Sequence, residues 1–476
     1  MNLIRGVNGF MRKMVNLYHL IPSIPLWKSK VLSRFLMMLF LLLLCITMSG
    51  CKKLDNNPSS PSASHQMEFI QPQQDKKPSL ELVTSKSGMA YTKYAGTEAG
   101  YYEVLTNTNG SGNILYTDYS SRKTIYLSSQ PDSTHNDSTD ESWIESVTGG
   151  SSIFTVNNKL YIVKRGKPEL VAAYGDAGQA LFLQMELDGS SRKSAKLKPN
   201  ERFVDGSAMV SDGQQIFFLL YRFDEDGNAF ENLVLSSLNI DTMQLQDVTI
   251  FPPEQSMSII GVSEDSIVFQ FARKFDSSVD KDYDTYMESF SYQLLRYYPY
   301  DKSVKLEPCF TWDPSIISGI VYKNKFYFYN TVTNELKFFD FHEKREALLE
   351  KNIQPYNSAY SQIALTGDVV DDHLFFNCTN PQTGKRQKIS YNIKTNTIIE
   401  HCLVSNGKFV GIFEENTDYY LVMTGEKNIQ TPDIAPDGSP FFTDRIVFEF
   451  SLIEKSDYWA NRSNYLPIDD TLVYGF

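Results

Sequence analysis

Short apolar segments separated by polar turns fill the chain from about residue 80 to its end. Runs of about five to eight residues either alternate apolar with polar positions or are rich in aromatics, and pairs of Asn, Asp, Gly and Ser separate them. A period of two, bounded by turn-forming residues, is typical of β-strands. Helical periodicity does not extend over a useful length, so the pattern predicts an all-β structure.

One unit of this pattern recurs along the chain. Each copy contains a glycine, a short apolar strand, a tight polar turn, a stronger strand and then a hairpin. Four strands joined by turns correspond to one blade of a β-propeller. The copies begin about 44 to 62 residues apart, at Gly88, Gly150, Gly206, Gly261, Gly319, Gly367 and Gly411. The sequence therefore predicts a single β-propeller of about seven four-stranded blades over residues 80–476.

Two details of this ring have more than one interpretation. The glycine that starts each unit either permits close approach of the innermost strands around the axis, or ends the preceding loop. Closure of the ring is expected to use a terminal strand to complete the last or the first blade. Both Leu80–Thr84 and Thr471–Tyr474 have a suitable composition, and the pattern does not decide between them.

Two consecutive segments of the third unit resemble the blades of TolB-like and YncE-like propellers of bacterial envelope proteins. They are SDGQQIFFLLYR from Ser211 and NLVLSSLNIDT from Asn232. The resemblance covers the chain from about residue 80 to its end and implies the propeller fold. It implies no function, because propellers host unrelated chemistries. The long, irregular loops of this chain depart from that family, so no partner or site is carried over.

Residues 28–50 have the pattern of a secretory signal. Three basic residues lie within 28–34, an apolar run covers 35–48, and Ser49 and Gly50 follow. A run of about 14 apolar residues is shorter than the roughly 20 that a membrane-spanning helix needs. The alternatives are a single-pass anchor and an ordinary signal peptide. Residues 1–50 are assigned to the signal, with Met11 and Met14 as alternative starts.

Cys51 directly follows these small residues. This arrangement resembles the lipobox of bacterial lipoproteins, although Met48 stands where that family usually has leucine. The resemblance implies that the Cys51 thiol carries a diacylglyceryl group. The expected location is then the extracytoplasmic face of the bacterial cell membrane. Residues 51–79 are rich in Pro, Ser, Asn, Gln and Lys, a composition that predicts a disordered tether.

The charge of the chain excludes some partners. The full chain has 45 Lys and Arg and 57 Asp and Glu, so its formal charge is −12. Residues 1–50 contain six of the basic residues and none of the acidic ones. Without residues 1–50 the chain carries about −18. Such an acidic surface argues against nucleic acid and against electrostatic binding to anionic lipid. We expect a monomer that contacts the membrane through its lipid. Cys309, Cys378 and Cys402 have no repeating spacing and predict no disulfide framework, although a Cys378–Cys402 pair stays open.

The long connections of the predicted blades are expected on one face of the ring. If the strands of a blade are called a to d from the axis outward, the b–c and d–a connections lie on the same face. Binding residues concentrate on loops of rigid scaffolds. The long segments are Pro131–Gly149, Gly166–Gln179, Phe275–Glu288, Lys351–Gln362 and Gly425–Thr443. Aromatic residues in or beside them predict a ligand face formed by Trp143, Tyr174, Tyr283, Tyr286, Trp312 and Tyr356.

Motifs for catalysis or for metal binding are weak. S-x-x-K occurs at Ser120–Lys123 and Ser190–Lys193, but both copies lie in predicted turns and lack the companion motifs of penicillin-recognising enzymes. The histidines are scattered without ligand spacing. The acidic run over residues 280–284 is interpreted as a solvated loop in preference to a weak calcium site. No catalytic residue, cofactor or metal is therefore assigned.

These observations favour a lipid-anchored extracytoplasmic β-propeller that acts as a binding or scaffold module for a protein or glycan at its long-loop face. Whether the chain is an enzyme is left open, with the pattern favouring the absence of catalysis. The alternative is a glycan-degrading hydrolase or lyase with its site at the channel mouth. That alternative predicts carboxylates, or a cluster of His, Arg and Tyr, converging on the axis.

Overall fold

The computed structural model describes 13 ranges of the chain. These are residues 79–85, 91–130, 132–147, 149–166, 178–224, 229–251, 256–274, 290–301, 306–312, 316–351, 353, 361–434 and 440–474. The signal segment, Cys51, all but the last residue of the predicted tether, Tyr174, Tyr283, Tyr286 and Tyr356 lie outside the described residues.

Most of the described residues lie in strands. Strand β1 precedes the ring, and the strands that follow it form blades 1 to 3. Strand β1 is Glu81–Leu82. Blade 1 contains β2 (Tyr94–Gly96), β3 (Gly100–Thr106), β4 (Gly112–Asp118) and β5 (Lys123–Tyr126), with β6 (Trp143–Ile144) paired to β4. Blade 2 contains β7 (Ser151–Val156), β8 (Lys159–Lys164), β9 (Leu181–Glu186) and β10 (Lys193–Lys196). Blade 3 contains β12 (Val210–Ser211), β13 (Gln215–Phe223), β14 (Phe230–Asn239) and β15 (Leu245–Phe251), with β11 (Glu201–Phe203) paired to β13.

Four further blades complete the ring. Blade 4 contains β16 (Ser256–Ser263), β17 (Ser266–Lys274), β18 (Phe290–Tyr297) and β19 (Glu307–Trp312). Blade 5 contains β20 (Ile316–Tyr322), β21 (Lys325–Asn330), β22 (Glu335–Asp340) and β23 (Arg345–Lys351). Blade 6 contains β24 (Gln362–Val370), β25 (His373–Thr379), β26 (Arg386–Asn392) and β27 (Thr397–His401). A separate hairpin, β28 (Val404–Ser405) and β29 (Lys408–Phe409), precedes blade 7, which contains β30 (Ile412–Glu415), β31 (Tyr419–Ile434), β32 (Pro440–Glu454) and β33 (Leu466–Pro467).

Every blade is an antiparallel sheet whose four strands follow one another in sequence. The predicted all-β propeller of seven four-stranded blades is therefore confirmed. Two short helices, α1 (Lys455–Trp459) and α2 (Thr471–Tyr474), follow β32 and β33 respectively. No helix in the described ranges is long and apolar enough to cross a bilayer.

The tight turns form where polar pairs separate apolar runs. In the a–b turns at Asn157-Asn158, Lys323-Asn324 and Asp371-Asp372, both residues have positive φ between 45° and 63°. Such a turn matches the twist of the two strands that it joins. In the c–d turns, the side chain of the last residue of strand c accepts backbone N–H groups of the turn. This residue is Asp118, Asn239, Asp340 or Asn392.

Hydrophobic clusters between neighbouring blades hold the ring together. One cluster lies at each of the seven blade–blade boundaries of the described chain. The last of them joins blade 7 to blade 1 and includes Tyr101, Leu421, Phe450 and Leu452. Each blade packs against one neighbouring blade on each of its two faces. Apolar side chains are therefore buried on both faces of the sheet.

Ring closure differs from both sequence predictions. Leu80–Thr84 does not complete the first or last blade, because β1 pairs with β12 on the inner edge of blade 3. Thr471–Tyr474 is helical, with the Asp469 carboxylate accepting the N–H of Thr471 at its start. Neither strand is needed, since β2 and β33 already complete blades 1 and 7. Blade 7 instead contacts blade 1 through the cluster above and through a backbone bridge between Asp469 and Lys123.

Another difference concerns Gly425–Thr443, which we predicted as a long loop. The segment consists largely of strand, because β31 and β32 pair from Tyr419–Glu454 out to Ile434–Pro440. The polar composition of residues 426–433 is unusual for a strand, but β32 supplies the partner with strong β-forming residues such as Ile446, Val447 and Phe448. The hairpin of blade 7 is therefore much longer than the corresponding hairpins of the other blades.

The repeat-starting glycines do not share one role. At Gly261, a Cβ atom would lie 2.5 Å from the Cβ of Val321 on the innermost strand of the next blade, so close approach requires glycine there. At Gly206, a Cβ atom would meet nothing within 4 Å. Both interpretations that the sequence left open are thus realised, at different blades.

These two glycines give a paired test of the ring. Replacing Gly261 with alanine forces the inner strands of blades 4 and 5 apart, and overpacking of this kind costs about 1–3 kcal/mol. Gly206→Ala, the matched control, is expected to change the free energy of unfolding by less than about 0.5 kcal/mol. Urea unfolding of both variants measures the difference. Equal stability of the two variants would show that the inner strands of blades 4 and 5 are not closely packed.

Candidate functional site

The predicted ligand face is only partly described, and its two described aromatic residues have different environments. Trp143 lies in β6, half-buried, and its carbonyl oxygen accepts a hydrogen bond from Arg192 Nη1 at 2.5 Å. Trp312 is only 5% exposed. Its ring stacks on Tyr292, with the centroids 5.5 Å apart, inside the cluster between blades 4 and 5.

The sequence around Trp312 indicates that this side chain is buried. Phe310 and Trp312 are two residues apart at the end of an alternating segment, so they point to the same face of strand β19. In a propeller that face packs against the next blade. The structure therefore separates the two tryptophans: Trp312 packs between blades, and Trp143 lies at the edge of the loop face.

A large central cavity lies where the inner strands of blades 1, 2, 3 and 7 face one another. Its volume is about 1470 Å³. Sites for single small molecules have volumes of roughly 300–1,000 Å³, so this cavity suits a larger or extended ligand. Strand β1, through its pairing with β12, forms part of the cavity wall.

One side of the cavity is an aromatic wall, which we define as Tyr91, Tyr94, Phe413 and Phe448. Tyr91 is 70% exposed, Phe448 42% and Phe413 37%. The rings of Tyr94 and Phe413 meet edge to face with their centroids 5.5 Å apart. Burial raises the pKa of the Tyr94 phenol well above its usual value, so this ring stays neutral. Rigid, exposed rings of this kind provide apolar contact area at low cost in conformational entropy.

The opposite side of the cavity is polar and belongs to β1 and blade 3. Glu81, Thr84, Ser211 and Asp212 lie along it. Thr84 Oγ1 accepts the backbone N–H of Met209 at 2.8 Å, which holds the β1 segment against blade 3. The cavity thus combines an aromatic wall with a wall of hydroxyls and carboxylates.

A basic corner borders the cavity at Lys93, which lines it. Lys93 Nζ donates to the carbonyl oxygen of Ser151 at 3.0 Å. Burial, and secondly the positive charge of Arg165, lower the pKa of Lys93, while Asp205 acts in the opposite direction. Arg165 itself contacts Asp205 at 3.4 Å. The corner therefore places two cationic groups and one carboxylate close together.

Most carboxylates around the cavity already have partners within the fold. Asp212 accepts the N–H groups of Gln214 and Gln215 in the a–b turn of blade 3. Glu415 forms an ion pair with Lys455 at 2.5 Å. Over the described ranges, His, Cys, Asp and Glu side chains form no group of three that could hold a metal ion. Asp212 and Glu415 are therefore held in place by contacts within the fold.

The connection between blades 1 and 2, on the long-loop face, is organised around one buried carboxylate. Asp140 accepts hydrogen bonds from the hydroxyls of Ser142 at 2.5 Å and Ser128 at 2.7 Å, and it contacts His135 Nδ1 at 2.8 Å. Burial alone would raise the pKa of Asp140, but hydrogen bonds from Ser142, Ser133 and Ser128 hold it well below its usual value.

This serine, histidine and aspartate group is not arranged as a catalytic triad. A triad needs the histidine between the carboxylate and the serine hydroxyl. Here both serines bind the carboxylate directly, and the His135 ring stacks on Tyr126 with the centroids 4.2 Å apart. The group therefore fixes the shape of a long connection, and sequence spacing alone had not indicated it.

Comparisons with known proteins add little beyond the fold. No protein-family model matches the sequence, and no curated protein matches it. Similar solved structures include an acylaminoacyl peptidase from Pyrococcus horikoshii, with 11% identity, coverage of 64% of this chain and 52% of that chain, and a TM-score of 0.38. TolB from Acinetobacter baumannii has 11% identity, coverage of 77% and 78%, and a TM-score of 0.31.

A third similar structure is an oligogalacturonate lyase in complex with manganese, with 13% identity, coverage of 60% and 73%, and a TM-score of 0.36. The chain spans between 52% and 59% of the length of the acylaminoacyl peptidase chains among these similar structures. At such identities and TM-scores these similarities carry no argument about ligand or activity.

Loss of the Asp140 carboxylate is expected to loosen the connection between blades 1 and 2. Asp140→Ala leaves buried donors without an acceptor, which costs about 1–3 kcal/mol. The exposed Asp137, in the same connection, is the matched control, and Asp137→Ala is expected to have a small effect. Hydrogen exchange of the amides in residues 132–147 measures the local change.

The same group predicts a pH dependence. A carboxylate whose pKa is lower in the folded protein than in the unfolded chain stabilises the fold. This contribution is fully present when the pH is above the unfolded-state pKa of 3.8, and it is lost progressively as the pH falls below 3.8. The protection factors of these amides, which compare the exchange rate with that of an unfolded chain at the same pH, should therefore fall below about pH 4 in the wild type, whereas Asp140→Ala should lack this step. Identical pH profiles of the wild type and the variant would contradict the assignment.

Proposed function

We propose that this chain is a lipid-anchored, extracytoplasmic binding or scaffold module that receives a protein or glycan ligand in its central cavity. The observation that carries the proposal is the exposed aromatic wall inside a cavity of about 1470 Å³. Exposed aromatic rings in a concave site are typical of ligand recognition. The lining of the cavity extends to the a–b turn residues Asn157 and Gly213, so the cavity also reaches the face opposite to the predicted long connections.

The use of the cavity carboxylates supports binding in preference to hydrolysis. A glycosidase needs two carboxyl groups at a set separation across the scissile bond. Asp212 and Glu415 are instead held by a turn and by an ion pair. The hydrolase or lyase alternative would need the remaining acidic side chains to act together.

The proposed location rests on the sequence. The basic, apolar and small-residue segments before Cys51 support export followed by lipid attachment. A diacylglyceryl group together with further acyl chains anchors a protein more firmly than one acyl chain can. The acidic surface of about −18 leaves the lipid as the principal membrane contact.

The aromatic wall provides the test of binding. Phe448→Ala and Tyr91→Ala remove exposed rings, so both should fold normally and lose ligand. We expect captured ligand, measured by glycan array and by pull-down from the envelope fraction of the producing bacterium, to fall about tenfold or more. Leu348→Ala, an exposed apolar position on the outermost strand of blade 5, is the control. A purified chain that turns over glycans while both capture assays stay blank would overturn the proposal.

The lipid anchor has its own test. Cys51→Ala should abolish incorporation of labelled palmitate and move the chain from the membrane fraction to the soluble envelope fraction. Cys45→Ala changes the other N-terminal cysteine, within the apolar run, and should leave labelling intact. If palmitate incorporation survived Cys51→Ala, the lipobox assignment would be wrong while the binding proposal would stand.

A further inference from the structure

A second concave site lies between blades 6 and 7. It has a volume of about 1090 Å³. Strands β24, β25 and β26 form one side, and the hairpin of β28 and β29 forms the other. We call it the cationic groove and define it by Lys385, Arg386, Lys388 and Lys408. It adjoins the central cavity at Ile412 and opens on the face that carries the b–c and d–a connections.

The charge of this groove opposes that of the whole chain. The full chain has 57 acidic and 45 basic residues, yet the described residues that line the groove include four cations and no Asp or Glu. Lys408 forms an ion pair with Glu426 at 2.5 Å. The side chains of Lys385, Arg386 and Lys388 form no ion pair in the part of the chain that the structure describes.

Lys388 is the unusual member of this set. Ile389 and Tyr391 lie in the cluster between blades 5 and 6, so Lys388, which alternates with them, points toward blade 7. Its ammonium group lies 4.8 Å from the centre of the Phe375 ring. Burial lowers the pKa of Lys388 to about 8.

Among the described residues, no carboxylate pairs with Lys388, so the Phe375 ring is the partner that its charge has. The neighbouring His401 bonds to Ser390 at 2.9 Å, and Trp459 stacks on His373 with centroids 3.8 Å apart. Lys159, by contrast, pairs with Glu186 at 2.6 Å. Removing an ammonium group from water without pairing it to a carboxylate is costly, and an apolar side chain would pack better at this position. Such local conflicts are expected at binding sites.

The groove is also physically open. No atom lies within 4 Å of the position that a Cβ would occupy at Gly367, Gly384 or Gly407, all of which line it. Arg386 and Lys388 are two residues apart on β26, so their side chains leave the same side of the strand about 7 Å apart. Phe409, on the opposite side of the groove, offers an apolar surface.

The geometry points to a binding site for an acidic glycan, with Lys388 and Arg386 contacting successive carboxylates of the sugar chain and Phe409 contacting the apolar face of a ring. Charge-assisted hydrogen bonds from both cations to carboxylates would give Lys388 the carboxylate partner that it lacks among the described residues. A glycan suits the groove better than an acidic peptide, because the apolar C–H face of a sugar ring can pack against Phe409 while the carboxylate of the same ring points to the cations. This site goes beyond the proposed function of the central cavity.

The test uses the full chain in detergent and an oligogalacturonate pentamer as the probe. Isothermal titration should detect binding of this uronate oligomer and no binding of a neutral cellopentaose. Lys388→Met should weaken binding about tenfold or more, while its melting temperature stays equal to that of the wild type or rises. Arg386→Gln should weaken binding less, and Lys337→Gln, whose lysine pairs with Glu335 in blade 5, should have no effect.

Measuring the affinity for the uronate oligomer at several pH values gives an independent test of the role of Lys388. Affinity should fall between pH 7 and pH 9 as Lys388 loses its proton, because its pKa is about 8. The other cations of the groove, Lys385, Arg386 and Lys408, face the same space. Burial lowers the pKa of His401 to about 3 and also lowers that of His373, so both are neutral over this range.

Several outcomes would overturn the proposal. In the comparison of ligands, they are the absence of uronate binding, equal binding of the neutral oligomer, and tighter binding of a glutamate pentapeptide than of the uronate. In the pH series, it is an affinity that does not change from pH 7 to pH 9. In the variant, it is an unchanged affinity of Lys388→Met for the uronate. Loss of uronate binding in Lys388→Met but not in Phe448→Ala would separate this site from the central cavity. The two proposals can therefore fail independently.

Discussion

The contact of blade 7 with blade 1 is the interaction on which the ring depends. Among the strands that the structure describes, none crosses from one end of the chain to complete a blade at the other end, so this boundary relies on side-chain packing around Tyr101, Leu421, Phe450 and Leu452. Hydrogen bonds from Thr417 to the Glu98 carboxylate and the backbone bridge at Asp469 add to it. If this boundary opened, the walls of the central cavity would separate, because blades 7 and 1 together supply the aromatic wall.

Because side-chain packing closes the ring between blades 7 and 1, the N-terminal strand β1 is not needed for closure and pairs elsewhere. Strand β1 lies on the inner edge of blade 3, where it brings Glu81 and Thr84 into the cavity. The long hairpin of blade 7 contributes Phe448 from the other direction. Both additions to the repeating blade thus change the same cavity, and the repeat itself supplies the rigid frame around it.

The boundary between blades 6 and 7 shows how packing and binding compete. Seven boundaries are closed by apolar clusters, but this one also contains Lys388, His373, His401 and Ser390 among its aromatic residues. The alternation in RQKISYN, residues 386–392, already indicated a polar face on a central strand. Since both faces of a propeller blade are covered, that pattern is a detectable sign of an unusual boundary.

The sequence by itself determined the four-stranded repeat, about seven copies of it, the tight turns and the strand order within a blade, because these depend on residues that are close together in the chain. Turn residues such as Asn157-Asn158 and the period of two set them locally. The tertiary structure decided which side chains share a cavity, where β1 pairs, that Trp312 is buried, and that Lys388 contacts Phe375 but no carboxylate among the described residues. These properties depend on distances between residues far apart in sequence, and such distances are set only when the blades pack against one another.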